Sequence, residues 1–183
     1  MERLKAQIMD EATMNRSIMR ISHEIIEKNK GCNDLCIVGI MRRGVPIAEK
    51  IRDNIKLIEN FDVPCGTVDI NFYRDDLSDS NVNPILKKIE LPFSVENKKI
   101  VIVDDVLFTG RTVRAAIDAV FSIGRPRAIQ LAILIDRGHR ELPIRADYIG
   151  KNIPTSSAER VSVCLPPFDD KTGVYIFEKD KEN

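Results

Sequence analysis

Two runs of residues, 100–103 and 129–135, constrain the fold of this chain more than any other feature of its sequence. Both runs are almost entirely apolar, so each predicts a strand with two buried faces, as in the middle of a parallel sheet. Residues 35–40 form a third run of the same kind. Helical patterns lie between these runs. Strands that alternate with helices are typical of an α/β fold with a mainly parallel sheet.

Two of the helical patterns have recognisable ends. In residues 10–30 apolar side chains recur at steps of four, three and four, which predicts an amphipathic helix with Asp10 as its N-cap and Gly31 at its C-terminal end. A second helix is predicted after the basic turn 41–44, with Pro46 in its first turn. The polar stretch 73–83 is long for a connection, which is typical of lids and binding loops. The other predicted elements are a helix at 112–123 and strands at 66–72, around Tyr148, at 161–165 and at 174–177.

The overall composition excludes several classes of protein. Among 183 residues, 28 are Lys or Arg and 28 are Asp or Glu, so the net charge does not indicate a nucleic-acid partner. No apolar run approaches the roughly 18 to 20 residues of a membrane-spanning helix, and the N-terminus does not resemble a secretory signal. The four cysteines form no C-x-x-C pair, which favours reduced thiols. We therefore expect one domain over residues 1–183, located in the cytoplasm, with no membrane association.

The clearest chemical pattern lies in residues 100–112. A buried strand leads into Asp104 and Asp105, then into a short loop with Gly110, then into a helix N-terminus. In open α/β sheets, ligands bind beyond the carboxyl ends of the strands. The loop 109–112 offers backbone N–H groups, two hydroxyls and the positive end of a helix, which together suit a phosphate monoester. Because carboxylates would repel that phosphate, we expect them to accept hydrogen bonds from a polyol such as ribose.

Paired carboxylates at the end of a strand have other known roles. They often cap a turn, and in P-loop NTPases they bind Mg²⁺, but this chain has no G-x-x-x-x-G-K-[ST] motif. It has no G-x-G-x-x-G motif either, so the sequence gives no support to a Rossmann dinucleotide site. A pocket for a phosphorylated ribose is the remaining interpretation.

Residues 100–112 resemble the motif with which type I phosphoribosyltransferases bind phosphoribosyl pyrophosphate (PRPP). The resemblance implies the type I phosphoribosyltransferase fold, in which helices flank a central, mainly parallel sheet and a small hood covers the site. It implies a ribose site at the two acids and a phosphate loop after them. The implied contacts of PRPP and UMP in this segment are Asp104, Asp105, Val106, Leu107, Phe108, Thr109, Gly110, Arg111 and Thr112.

Two further segments resemble functional parts of the same family. Arg42, Arg43 and Gly44 are similar to its pyrophosphate loop, although some relatives place a threonine where this chain has Arg42. Residues 73–75 resemble the start of its catalytic hood, so Arg74 is implied as a catalytic residue together with the two acids. The resemblance also implies that Mg²⁺ arrives with PRPP and has no direct protein ligand.

Phe108 indicates which nucleobase the site accepts. Purine enzymes of this family usually carry an acid at the corresponding position, and it exchanges a proton with the purine. Phenylalanine cannot exchange a proton, so the sequence favours uracil over hypoxanthine or guanine. The resemblance implies a nucleobase pocket near Arg137 and the segment 153–155, with Ile153 as one contact.

Three longer stretches, 73–78, 103–114 and 136–155, are similar to the bifunctional attenuation regulators of bacterial pyrimidine operons. The similarity extends over about residues 10–165. It implies binding to a hairpin of the operon mRNA that UMP or UTP strengthens, so that transcription terminates. It also implies uracil phosphoribosyltransferase activity, which yields UMP and pyrophosphate, and assembly into a homo-oligomer, either a dimer or a hexamer.

Basic side chains on the first helix and in the downstream segment are the candidate RNA contacts. Those on the helix recur at steps of four and three, opposite its apolar stripe. With Glu24 and Glu27 beside it, the same stripe could be an ordinary solvated face. Two alternatives therefore stay open: a salvage enzyme for uracil or a purine without RNA binding, and a regulator that uses the pocket only to sense a nucleotide. The candidates are Arg16, Arg20, His23, His139, Arg140 and Lys151.

Overall fold

The computed structural model describes residues 2–70 and 89–179. The described residues form three helices and nine strands. In chain order these are β1 (Glu2–Met9), α1 (Glu11–Asn29), β2 (Leu35–Ile40), α2 (Gly44–Glu59), β3 (Cys65–Val68), β4 (Ile89–Glu90), β5 (Lys99–Leu107), α3 (Arg111–Phe121), β6 (Ala128–Asp136), β7 (Tyr148–Asn152), β8 (Glu159–Cys164) and β9 (Gly173–Lys179).

The larger sheet has six strands in the order β4-β3-β2-β5-β6-β7. All its neighbouring strands are parallel except β3 and β4. The three apolar runs become β2, β5 and β6 at its centre, which confirms the predicted α/β architecture. Their alternate side chains fill two separate cores, so both faces of the sheet are buried.

The helices cover the two faces of this sheet. One core joins α1 and α2 to residues such as Ile37 and Val101, while the other joins α3 to Val38 and Ile102. Asp10 caps α1 as predicted, because its side chain accepts a hydrogen bond from the Thr13 N–H at 2.8 Å.

A second sheet of three antiparallel strands, in the order β1-β9-β8, was not fully expected. The sequence predicts β8 and β9, but not β1, whose side chains are mostly exposed. β1 pairs with β9, which lies near the other end of the chain. Because this pairing is long-range, no local sequence pattern predicts β1.

Three predicted boundaries differ from the structure. The strand expected at 66–72 is β3, which ends at Val68, and residues 71–72 and the predicted loop 73–83 lie outside the described residues. The helix expected at 112–123 begins one residue earlier and ends at Phe121. The strand expected at 100–103 continues as β5 to Leu107, because Asp104 and Val106 remain paired with β6.

No helix in residues 2–70 and 89–179 combines the length and apolar character needed to cross a membrane.

Candidate active site

The candidate site lies where β2, β5 and β6 end. These strands are parallel neighbours, so their carboxyl ends meet at one edge of the sheet. The turn 41–43 follows β2, the loop 108–110 follows β5, and the segment 137–147 follows β6. This edge is where ligands bind in open α/β sheets.

Asp104 and Asp105 form a carboxylate pair near the C-terminal end of β5, at this edge of the sheet. Asp104 is only 7% exposed. Its Oδ1 accepts a hydrogen bond from the Asp105 N–H at 2.9 Å, and Asp105 Oδ1 accepts one from the Val106 N–H at 2.9 Å. Burial and then the charge of Asp105 raise the pKa of Asp104 well above its usual value. Burial also raises the pKa of Asp105, which the charge of Arg43 partly opposes.

The loop after β5 leaves a helix N-terminus free for an anion. Gly110 precedes α3 with φ 96°, a left-handed conformation that favours glycine, and makes no side-chain cap. The first turn of α3 holds no acidic residue. The Arg111 N–H donates to Thr109 Oγ1 at 3.3 Å, and Thr112 is half-buried beside it. These groups can bind a phosphate through backbone N–H groups and the helix dipole.

The turn after β2 reaches toward the carboxylate pair. Gly44 lies so close to β5 that an added Cβ would be 2.4 Å from the Val103 carbonyl oxygen, which only glycine permits. Arg42 is exposed, whereas Arg43 is half-buried and forms an ion pair with Asp169. The structure therefore brings two arginines to the edge where the carboxylates lie.

Phe108 lies between two side chains that follow β6. The guanidinium carbon of Arg137 is 4.1 Å from the centre of the Phe108 ring, a cation–π contact. The His139 ring meets the same ring edge-on at a centroid distance of 5.7 Å. Phe108 itself remains 40% exposed, so an aromatic surface faces the site.

The segment after β7 holds this aromatic cluster in place. Arg137 is 7% exposed, and burial lowers the pKa of its guanidinium. Its Nε donates to Thr155 Oγ1 at 3.0 Å, and His139 Nε2 is 2.6 Å from the Thr155 carbonyl oxygen. The Ile153 N–H donates to the Asp136 carbonyl at 2.8 Å. The predicted base-binding residues are thus neighbours of the phosphate loop.

The candidate RNA contacts fall into two groups. Arg16, Arg20 and His23 are exposed on α1, and Lys151 is exposed on β7. Arg20 joins these elements, because its Nη2 donates to the carbonyls of residues 149 and 150 at 3.0 and 2.7 Å.

His139 and Arg140 belong instead to the sheet edge. Arg140 donates to the carbonyls of Phe108 and Ile144, each at 2.9 Å, and pairs with Asp136. These contacts tie the segment after β6 to the loop after β5. That His139 and Arg140 contact RNA stays a prediction.

The chain matches known proteins over almost its whole length. The model of the phosphoribosyl transferase domain matches residues 6–166. A protein named Bifunctional protein PyrR from Caldicellulosiruptor bescii is 58% identical over 100% of both chains. The protein of that name from Pelotomaculum thermopropionicum is 58% identical over 97% of this chain and 98% of its own. The chain belongs to the PyrR family of phosphoribosyltransferases.

Solved structures with lower identity share the fold of this PyrR family member. The hypoxanthine phosphoribosyltransferase of Trypanosoma cruzi matches with a TM-score of 0.73 and 16% identity, covering 97% of this chain and 98% of that one. A hypoxanthine-guanine phosphoribosyltransferase from Bacillus anthracis matches with a TM-score of 0.71 and 15% identity, covering 97% and 99%. The predicted type I phosphoribosyltransferase fold is confirmed.

Arg74 lies outside the described residues, so its predicted catalytic role stays a prediction. Asp169, which pairs with Arg43, was not expected from the sequence. It lies in a polar turn between β8 and β9, where no motif distinguishes it from its neighbour Asp170. Only the folded chain brings it to Arg43 of the predicted pyrophosphate loop.

Proposed function

We propose that this PyrR family member regulates a pyrimidine operon by binding its attenuator mRNA, and that it also converts uracil and PRPP to UMP and pyrophosphate. One observation carries the enzymatic part. A carboxylate pair, with Asp104 buried and Asp105 half-buried, lies a few residues from a helix N-terminus whose N-cap, Gly110, makes no side-chain hydrogen bond. That arrangement offers hydrogen-bond acceptors for ribose beside an anion site for its 5-phosphate.

In the proposed reaction, a bond forms between uracil N1 and the anomeric carbon of PRPP while the bond from that carbon to pyrophosphate breaks. The N1 proton is released. Asp104 and Asp105 accept hydrogen bonds from the ribose hydroxyls, and their charge stabilises the positive charge that develops on the sugar.

The remaining groups bind the two phosphate ends of PRPP. Residues 109–112 bind the 5-phosphate through the N-terminus of α3. Arg42 and Arg43 bind the leaving pyrophosphate, with Mg²⁺ that PRPP brings. Within residues 2–70 and 89–179, no three His, Cys, Asp or Glu side chains form a metal-binding group. The oxygen-rich pyrophosphate is a suitable ligand for this hard cation.

Phe108 and its neighbours determine which nucleobase the site accepts. Its exposed ring, flanked by Arg137 and His139, offers a stacking surface but no group that exchanges a proton with a purine. We assign the uracil pocket to this ring, Arg137 and Ile153.

The exposed basic side chains of α1 and β7 support the regulatory part. Arg16, Arg20, His23 and Lys151 define what we name the α1–β7 face. The charges of its two arginines and its lysine suit RNA phosphates. Unpaired loop bases of a hairpin can supply specificity, because the major groove of A-form RNA is too narrow to read. We further propose that the protein works in the cytoplasm as a homo-oligomer, a dimer or a hexamer, which analytical ultracentrifugation would test.

A continuous chain of contacts supports coupling between nucleotide and RNA. Arg20 of the α1–β7 face binds two carbonyls of β7. Three residues beyond β7, Thr155 contacts both Arg137 and His139, which flank Phe108. A nucleotide that orders the Phe108 cluster would therefore also order β7 and the residues attached to it.

The RNA part is tested with a variant that leaves the sheet edge intact. Arg16→Ala/Lys151→Ala removes two exposed charges from the α1–β7 face. Its affinity for a pyrimidine-operon hairpin should fall, and the slope of log affinity against log salt should flatten by about 1.8, because each of the two lost phosphate contacts contributes a little under one.

A matched control removes two exposed charges elsewhere. Lys56→Ala/Arg127→Ala should leave both the affinity and the salt slope as in the parent. Uracil phosphoribosyltransferase activity should survive in both variants. If Arg16→Ala/Lys151→Ala binds the hairpin as tightly as the parent does, the α1–β7 face is a solvated surface and the salvage-enzyme alternative is favoured.

A further inference from the structure

Asp169 makes a two-point contact with the arginine of the pyrophosphate loop. Arg43 Nε donates to Asp169 Oδ2 at 3.1 Å, and Arg43 Nη2 donates to Asp169 Oδ1 at 2.8 Å. Such bidentate pairs fix the plane of a guanidinium as well as its position. The side chains are 35% and 19% exposed, so the pair is partly shielded from water.

Asp169 is itself held by the turn that carries it. Its Oδ2 accepts a hydrogen bond from the Leu165 N–H at 2.9 Å, and its own N–H donates to the Leu165 carbonyl at 3.0 Å. The hydrogen bond from Arg43 lowers the pKa of the Asp169 carboxyl, so it stays ionised at neutral pH. A carboxylate in the connection between β8 and β9 of the smaller sheet thus binds an arginine in the turn after β2 of the larger sheet.

The contact leaves part of the guanidinium available. Asp169 occupies Nε and one N–H of Nη2, whereas a guanidinium has five N–H donors. In the part of the chain that the structure describes, Nη1 of Arg43 has no hydrogen-bond acceptor. Arg43 also lies close enough to Asp105 for their charges to influence each other. One edge of Arg43 is therefore anchored by Asp169, and the other edge keeps N–H donors available for a ligand.

We propose that Asp169 is a positioning residue for the transfer reaction, which orients Arg43 so that its free N–H groups bind the pyrophosphate of PRPP. A long arginine side chain loses rotamer freedom when it binds a ligand. The Asp169 contact orders Arg43 before PRPP arrives, so less freedom is lost on binding. This inference rests on the proposed function of the same site.

The test compares Asp169→Ala, Asp169→Asn and Asp169→Glu with the parent. With uracil saturating, the first two should raise the KM for PRPP and lower kcat/KM about tenfold, the size expected for a lost hydrogen bond to a charged group. The KM for uracil should not change. Asp169→Glu should restore part of the loss, because it keeps a carboxylate within reach of Arg43. Asp170→Ala is the matched control and should behave as the parent.

A double-mutant cycle distinguishes positioning from a general structural role. In an Arg43→Ala background, Asp169→Ala should cause no further loss, because its partner is already absent. Calorimetric binding of Mg²⁺-pyrophosphate should weaken in Asp169→Ala by the same factor as kcat/KM, and this measurement does not depend on turnover. Additive losses in the cycle would contradict the inference.

Two other results would also overturn it. Unchanged pyrophosphate binding in Asp169→Ala would show that Arg43 needs no anchor. Tighter binding would show that Asp169 competes with pyrophosphate for Arg43 and inhibits the free protein. If the parent binds pyrophosphate but forms no UMP from uracil and PRPP, the proposed function fails, while the binding comparison still decides the role of Asp169.

Discussion

Replacing Asp104 with asparagine should lower activity and raise stability at the same time. The amide oxygen of asparagine can still accept the hydrogen bond that Asp104 Oδ1 accepts from the Asp105 N–H at 2.9 Å. The substitution therefore removes a charge with little change in shape. A ribose hydroxyl then loses a hydrogen bond to a charged acceptor, worth about 1.5–3 kcal/mol, which corresponds to about a tenfold to hundredfold loss in kcat/KM.

The gain in stability follows from the raised pKa of Asp104, which burial and the charge of Asp105 cause. A carboxyl whose pKa is raised on folding favours the protonated folded form. Its stabilising effect is complete below the unfolded pKa, about 3.9, and is lost as the pH rises through the folded pKa. Above the unfolded pKa, folding of the parent must therefore either bury that charge or take up a proton, and Asp104→Asn needs neither.

Two measurements check this prediction. Steady-state formation of UMP should give the loss in kcat/KM, and urea unfolding at pH 7 should give a higher free energy of unfolding for Asp104→Asn than for the parent. Asp118→Asn, which removes an exposed carboxylate of α3, is the control and should change neither quantity much. Near-parental turnover in the Asp104→Asn/Asp105→Asn double variant would refute the assignment of the ribose site. Lower stability of Asp104→Asn at pH 7 would refute the electrostatic reasoning.

Three further outcomes are expected. The kcat/KM for uracil at saturating PRPP should exceed those for hypoxanthine and guanine, because Phe108 exchanges no proton; a purine preference would favour the salvage-enzyme alternative. Thr155→Val removes the hydroxyl that accepts the Arg137 Nε hydrogen bond. In this variant UMP should tighten RNA binding less than in the parent, while the RNA affinity without UMP should not change. An undiminished effect of UMP would exclude coupling through Thr155. Burial raises the pKa of the half-buried Cys65 thiol to about 11, so Cys65 should react more slowly with a thiol reagent at pH 7 in the native protein than after unfolding; native labelling as fast as that of the unfolded chain would contradict the raised pKa.

The sequence was sufficient for the parts of the fold that local pattern controls. The apolar runs predicted β2, β5 and β6, and Asp10 marked the start of α1. Long-range pairing was harder to predict. β1 exists because β9 pairs with it, and β5 extends to Leu107 because β6 pairs with its polar end. No local sequence pattern predicts either the existence of β1 or the extension of β5.

The site shows the same division. A continuous motif indicated Asp104, Asp105 and the predicted phosphate loop 109–112, and the structure places these residues at one sheet edge. The partnership of Arg43 with Asp169 spans 126 residues of chain, and spacing alone could not reveal it. Likewise, charge suggested an RNA contact for Arg140, but its guanidinium binds carbonyls of the loops around the site.

The affinity of this protein for a pyrimidine-operon attenuator hairpin, measured with and without UMP at one salt concentration, tests the proposed regulation most directly. A nucleotide site coupled to the α1–β7 face should make UMP tighten RNA binding by about 1–3 kcal/mol, roughly fivefold to 150-fold, and RNA should tighten UMP binding by the same factor. Equal affinities with and without UMP, or hairpin binding no stronger than that of an unrelated RNA, would contradict a nucleotide-controlled regulator.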